Sequence, residues 1–454
     1  MSFSRRQFVT GCSAAIAAMA GGSIGNLFFQ GTAQAAGGNG EVLVVVFLRG
    51  GCDGLSLVSP FDNSIYRSAR QRLAIPTSGD NSAIVIDPKN GSYSNSSSFG
   101  LHPSAAPLKE LYDQQKLAIV HACGLDDDTR SHFDAMDYME LGTPGKKNIA
   151  SGWLARHLEM IDGDGYIPVL AADSSTPTSL LGNREAIAVN DAKSYGLNSP
   201  WRYNNDDNDT MFQTLKQFYT GNGAVQNAGR RTIETIETLK SESLDYEPEP
   251  GAEYPEGYPG GGFSKSLQTV AQMIKLDMGL QVATVNLGGW DTHDGQGNDG
   301  TGRFASLTDT LSRGLHAFYN DLPNHHNKVT VVVMSEFGRR LGANASSGTD
   351  HGHGNAMLIL GGNVNGGKMY GEWPGLEDLD QDQDLRITTD YRKVLSEVIV
   401  RRFGNGELGT VFPGITEDIY AAQNTLNFIN GSDVPINYES RLPSNTVYLP
   451  MIAR

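Results

Sequence analysis

The chain has 454 residues, a formal net charge of −16 and 19% charged residues. So acidic a chain argues against nucleic acid and anionic membrane surfaces as partners. Beyond residue 35 no apolar stretch reaches the roughly 18 residues that span a bilayer, so no transmembrane anchor is expected.

The amino terminus reads as an address. Ser4-Arg5-Arg6-Gln7-Phe8-Val9 has the twin-arginine export pattern, followed by a weakly apolar stretch from Ala14 to Phe29. Ala33-Gln34-Ala35 is a small-residue cleavage site. Residues 1–35 are therefore expected to be a signal peptide that engages the twin-arginine export machinery and leaves a periplasmic or secreted protein. Cys12 departs with it. Cys52 and Cys123 remain, with two readings open: a disulfide in an oxidising compartment, or two free buried thiols.

The first predicted strand is Glu41–Leu48, a nearly unbroken Val and Leu run of the kind buried on both faces. A helix over Ala105–Gln114 and a strand over Leu117–Val120 follow. Ser131–Leu141 and Trp153–Met160 read as helices, Pro168–Ala172 and Ala186–Val189 as short strands. Two more helices are expected near Thr210–Tyr219 and Arg231–Ser241. Residues 244–264, rich in Pro, Gly, Glu and Tyr, read as a lid or an ordinary surface loop. Leu267, Val270, Ala271, Ile274 and Met278 then keep helical spacing. Strands ending at Leu287 and spanning Val329–Met334 flank a helix at Phe304–Tyr319. Strand Ala356–Leu360 and an amphipathic helix from Tyr391 to Phe403 complete the pattern. Strands alternating with helices predict an α/β fold, a mostly parallel central sheet with helices on both faces. Residues 36–435 read as one domain and 436–454 as a tail whose apolar end, Val447–Ile452, suits a strand or a partner.

Metal-ligand residues cluster beside these strands. Asp53 follows the first strand and a Gly-Gly turn. Asp291 and His293 follow the strand ending at Leu287. Glu336 and Arg339 follow Val329–Met334, and Asp350, His351 and His353 precede Ala356–Leu360. Ligands bind at the carboxyl ends of strands in open α/β sheets, so these residues are expected to meet at one edge. Carboxylate and imidazole donors suit a divalent metal, zinc first, with calcium or another ion as alternatives. Each also has a plainer reading as a turn, loop or salt-bridge residue. Ser131 opens a helix, where backbone N–H groups favour an oxyanion. It is a candidate nucleophile and equally a helix cap, since Ser-x-x-Asp is a capping pattern. Thr129 is the alternate hydroxyl, and His132 stands next to Ser131 as a further aid to ion or substrate binding. Arg130 and Arg339 are candidate anion-binding residues, with Arg340 beside Arg339.

The ordered set LVVVFLRGGCDGLSLVSP, DTRSHFDAMDYMELG, VNLGGWDTHDGQG, VVVMSEFGRR, GTDHGHGNAMLILGG and DYRKVLSEVIVRRFG resembles a large family of exported bacterial proteins of unknown function, often labelled sulfatase-like. That family looks like a branch of the alkaline phosphatase and sulfatase superfamily. The resemblance covers most of residues 1–435. It implies an alkaline phosphatase-like sheet, up to two adjacent divalent metals and a nucleophile at a helix start. Carried over, Asp53 and Asp291 match metal aspartates, Ser131 the nucleophile, and His351 or His353 the histidine before the last core strand. The chain departs where Ser335-Glu336-Phe337-Gly338 stands for a usual Asp-His pair, because Phe337 cannot ligate. The resulting expectation is a secreted metal-dependent hydrolase of an anionic phosphate or sulfate ester, small-molecule or polymeric. The rival is a non-catalytic binding or cell-surface protein on the same fold.

Overall fold

In a computed structural model of the chain, the residues described are 40–442 apart from 90–92, 94–97, 162–164, 166, 193–204, 243–245 and 298–299. The predicted signal peptide and the apolar end of the tail lie outside them.

Strand β1 (Val42–Arg49) organises the domain. Its side chains alternate between faces, as an extended chain requires. Val42, Val44, Val46 and Leu48 join one core, and Leu43, Val45 and Phe47 join the other. A strand apolar on both faces must be central, and β1 is paired on both sides.

The short strands β2 (Val58–Ser59), β3 (Ile84–Ile86) and β4 (Phe99–Leu101) form a separate small sheet. The main sheet adds β5 (Leu117–Gly124), β6 (Val169–Ala171), β7 (Ile187–Ala188), β8 (Val282–Gly288) and β9 (Val329–Met334). β10 (Arg339–Ala343) and β11 (Thr349–His351) make an antiparallel pair outside it. β12 (Asn355–Gly361), β13 (Lys368–Tyr370) and β14 (Thr389–Asp390) rejoin the main sheet. Its order is β13-β5-β12-β9-β1-β8-β6-β7, with β14 also on β5. β8 and β9 both run parallel to β1. Only β12 runs against its neighbours, antiparallel to β5 and β9. The segment preceding β12 therefore reaches the same edge as the segments following β1, β8 and β9.

Helices cover both faces. Gly260–Lys275 and Gly302–Asn320 bring Leu267, Val270, Phe304 and Leu311 to one core. His132–Leu141, Trp153–Glu159 and Tyr391–Phe403 bring Met139, Trp153 and Val394 to the other. Each buried Val or Leu contributes about 1.5–3 kcal/mol, so this two-sided core is the main source of stability.

Several expectations change. Cys52 and Cys123 are free and buried, which removes the disulfide reading. The hairpin β10–β11 was not expected, because its polar, Gly-rich sequence has no alternating pattern. Residues 244–264 are not one loop, since a helix begins at Gly260. Their first part is tied down by buried Asp321, which accepts from Tyr254 Oη at 2.9 Å and Glu249 N at 2.8 Å. Asp321 follows the helix that runs back from β8 to the start of β9, so this first part is held near the amino edge of the sheet. The tail begins inside the domain: Gly409 N bonds to Asn437 O at 2.8 Å, and Ile436 and Tyr438 pack on the second core. Among the described residues, no helix is long and apolar enough to cross a membrane.

Candidate metal centre

Two glycines open the carboxyl edge. Gly50 has φ +116°, and a Cβ there would lie 2.6 Å from Asp291 N; at Gly51, φ +63°, it would lie 2.5 Å from the Phe337 ring. Only glycine lets the turn after β1 pass this close to the loops after β8 and β9.

Asp291 stands at the centre. His293 Nε2 lies 3.2 Å from its Oδ1, His351 Nε2 3.4 Å and His132 Nε2 3.5 Å. The Nε2 atoms of His293 and His351 face each other at 2.9 Å. His132, Asp291 and His351 offer ligand atoms that all lie within 4.8 Å of one another. Zinc with ligands near 2.0–2.1 Å sets neighbouring ligand atoms about 3.3 Å apart in a tetrahedron, so these separations suit one ion. His132 Nε2 is also buried without a hydrogen-bond partner among the described residues, a nitrogen whose lone pair an ion would take when Nδ1 carries the proton toward Glu336.

Each imidazole is held from behind, as metal-ligating histidines are. His132 Nδ1 meets Glu336 Oε1 at 2.7 Å, His293 Nδ1 meets Asp350 Oδ1 at 3.2 Å, and His351 Nδ1 meets the carbonyl of Arg130 at 2.8 Å. The Glu336 bond pushes the His132 imidazole above its ordinary pKa. Burial lowers that of His351. Burial would raise the Asp291 carboxyl, but hydrogen bonding and charge from Arg339 outweigh it and hold the group at about 2.

Of the residues expected to meet, Asp291, His293, Asp350 and His351 do so. Glu336 and Asp350 hold imidazoles. Arg339 is 1% exposed, with its donors spent on the carbonyls of Gly50, Gly51, Trp290 and Thr349 and on Asp291 Oδ1 at 2.8 Å. It therefore fixes the turn and is closed to a substrate anion. Asp53 does not join the centre. It is fully buried against Arg70, Ser56 and Gln296, whose Nε2 donates to it at 2.6 Å. Burial alone would raise its carboxyl, yet the Arg70 charge and these hydrogen bonds hold it below the usual carboxylate value. A guanidinium stands where a metal was expected. His353 also lies elsewhere, 2.7 Å from Asp380 Oδ2 through Nδ1. Ser131 caps the helix, but Asp134 N reaches its Oγ only at 3.4 Å, long for a hydrogen bond. Arg130 bonds Asp384 at 2.6 Å.

His132, expected beside Ser131 as an aid to ion or substrate binding, supplies one of the central imidazoles. Its signal was adjacency to Ser131 at a helix start. Arg70 and Gln296 had no sequence signal.

Fold and site together define an α/β protein with a group of candidate metal ligands at the carboxyl edge of its sheet. The chain belongs to the family described as "Protein of unknown function (DUF1501)", whose model matches residues 41–398. No curated protein matches it. Similar solved structures include Ps i-CgsB in complex with k-i-k-neocarrahexaose, at 10% identity and TM-score 0.33, covering 72% of this chain and 67% of that one. Alkaline phosphatase from the Antarctic bacterium TAB5 is similar at 10% identity and TM-score 0.27, over 70% and 91% of the two chains. A mutant of alkaline phosphatase PafA follows at 14% and 0.24, over 68% and 64%.

Proposed function

We propose that this protein is an exported, metal-dependent hydrolase of anionic phosphate or sulfate esters. The observation that carries the reading is the meeting of three imidazole Nε2 atoms on Asp291 Oδ1 beside a helix N-terminus. His132, Asp291, His293 and His351 would hold the ion, and three imidazoles with one carboxylate favour zinc over calcium. Such an ion, when bound, supplies Lewis-acid stabilisation of charge on the transferring group and activation of a nucleophile.

The chain's own groups supply the rest. Ser131 sits beside His132, its Oγ reached by Asp134 N at 3.4 Å and its hydroxyl hydrogen-bonded to the Asp134 carboxylate. The first N–H groups of helix His132–Leu141 offer a place for an oxyanion. Arg130 and Arg340 have partly exposed side chains and are better placed than Arg339 to draw an anionic ester. Glu336 and Asp350 orient the imidazoles.

A second reading, a binding protein that does no chemistry, is favoured by one feature. Arg339 donates to the Asp291 oxygen that the imidazoles surround. Metal analysis of the mature protein, together with assays of aryl phosphate and aryl sulfate hydrolysis, separates the two. Ser131→Ala should abolish turnover while metal is retained. Loss of about 0.5–2 kcal/mol of stability with turnover intact would leave Ser131 a cap only. A wild-type protein that binds metal but hydrolyses no ester would favour the second reading.

A further inference from the structure

We propose that Gln296 is a positioning residue for the Asp291 centre, its buried side-chain amide joining the turn after β1 to the two loops that carry the candidate ligands. That role presupposes the reading of the centre as a metal site.

Gln296 is fully buried, and both ends of its amide are used. Nε2 donates to Asp53 Oδ2 at 2.6 Å and to Ser56 Oγ at 3.2 Å. Oε1 accepts from Thr292 Oγ1 at 3.0 Å and from Thr349 Oγ1 at 2.9 Å. Asp53 decides which end faces which way. A carboxylate kept ionised by Arg70 can only accept, so the amide NH₂ must turn toward it and the carbonyl oxygen toward the two hydroxyls. Arg70 is fixed in turn by the carbonyls of Leu341 at 3.0 Å and Arg340 at 3.1 Å.

The two threonines stand beside the candidate ligands. Thr292 lies between Asp291 and His293 and is fully buried, while the side chains of its neighbours are 47% and 43% exposed. Thr349 opens β11 and precedes Asp350 and His351. Holding both hydroxyls on one oxygen sets the depth of each loop against β1. His293 and His351 bring their Nε2 atoms to 2.9 Å across those two loops.

Other bonds join the same loops. Thr349 N donates to Thr292 O at 3.2 Å, and Asn344 Nδ2 donates to His293 O at 2.8 Å. Arg339 ties both loops to Gly50 and Gly51, but it also bonds Asp291 itself. Gln296 differs because its side chain bonds none of the candidate ligands and acts only through the loops that bear them.

The test uses the mature chain stripped with chelator. Zinc affinity is read by calorimetry, and hydrogen exchange of the metal-free protein by mass spectrometry. Gln296→Met keeps the length and removes every bond of the amide. Gln296→Glu sets a second carboxylate against Asp53, and adding Asp53→Asn exchanges the donor and acceptor ends with one charge retained. Thr292→Val, which removes a single hydroxyl, serves if the Gln296 variants fold poorly. We expect Gln296→Met and Gln296→Glu to weaken zinc binding about tenfold, the lower end for groups behind a metal ligand. Peptides covering 290–294 and 349–353 should exchange faster while β5 keeps its protection, and Asp53→Asn should restore much of both losses in Gln296→Glu. A role in stability alone would lower Tm and leave zinc affinity and loop exchange unchanged, which overturns the proposal. Exchange that rises equally in β5 and in the two loops overturns it as well. A wild type that takes up no zinc removes the metal reading, and the exchange measurement then decides the positioning role by itself.

Discussion

Two aspartates stand just past the ends of neighbouring parallel strands, and the fold uses them differently. Asp53 follows β1 and Gly50-Gly51, while Asp291 follows β8 and Gly288-Gly289. Each pairs with a buried arginine, Arg70 in one case and Arg339 in the other. Asp53 is wholly enclosed, and its charge is balanced within the protein. The Asp291 side chain is 47% exposed and has imidazoles on its open side. Whether a strand-end carboxylate becomes a structural ion pair or a candidate ligand depends on what closes over it. At Asp53 a guanidinium and Gln296 do so; at Asp291 one side stays open.

The largest expected effect tests the closed member. Arg70→Met leaves a buried carboxylate unpaired and should cost about 3–5 kcal/mol in chemical denaturation. Adding Asp53→Asn should recover much of that loss. A cost below about 1 kcal/mol for Arg70→Met would mean that the cage is not held by its charges.

At the open member, function should suffer more than stability. Glu336→Gln weakens the hold on His132 Nδ1 and should lower metal affinity by about 10–100-fold, read by calorimetry with zinc. Unchanged affinity would remove Glu336 from the support of the site. Asp291→Asn should cost less than about 1 kcal/mol of folding stability, since the carboxylate is half exposed and asparagine keeps an oxygen for Arg339, while metal content falls. If this variant unfolds instead, the two aspartates are alike and the comparison fails.

The smallest effect is acid-dependent and should be read on metal-free protein. The Asp291 carboxyl lies at about 2 in the folded chain and near 3.9 when unfolded. A depressed carboxylate stabilises the fold fully above its unfolded value and loses that contribution as pH falls toward the folded one. Urea stability of Asp291→Asn should therefore lie a constant amount below the wild type above pH ~4, and the gap should close as pH falls toward the folded value. The gap should be small because the group is half open. A difference that persists undiminished at about pH 2 would point to a role other than its charge.

Much of the fold was legible because burial on two faces writes itself as unbroken apolar runs. β1, β8, β9 and β12 lie close to their expected ranges, as does helix Tyr391–Phe403. The β10–β11 hairpin was illegible for the opposite reason. Its positions are fixed by Arg339, whose bonds to Gly51 O at 2.6 Å and Thr349 O at 2.9 Å lie far from its own neighbours in sequence. The site was legible in part. Asp291, His293 and His351 stood out as donors beside strands, and tertiary contact brings them together. His132 was visible only as a neighbour of Ser131.

The sequence by itself determined the strands, the layered α/β class and the pool of residues from which a site could be drawn, because periodicity and residue chemistry are local properties. Only the tertiary structure decided which of those residues share a space. The reversed β12 delivers His351 to Asp291. Arg70, distant from β1 along the chain, closes over Asp53, and Asp380 turns His353 away from the Asp291 centre. Such choices rest on long-range packing and on how buried charge is neutralised, and no short window of sequence records either.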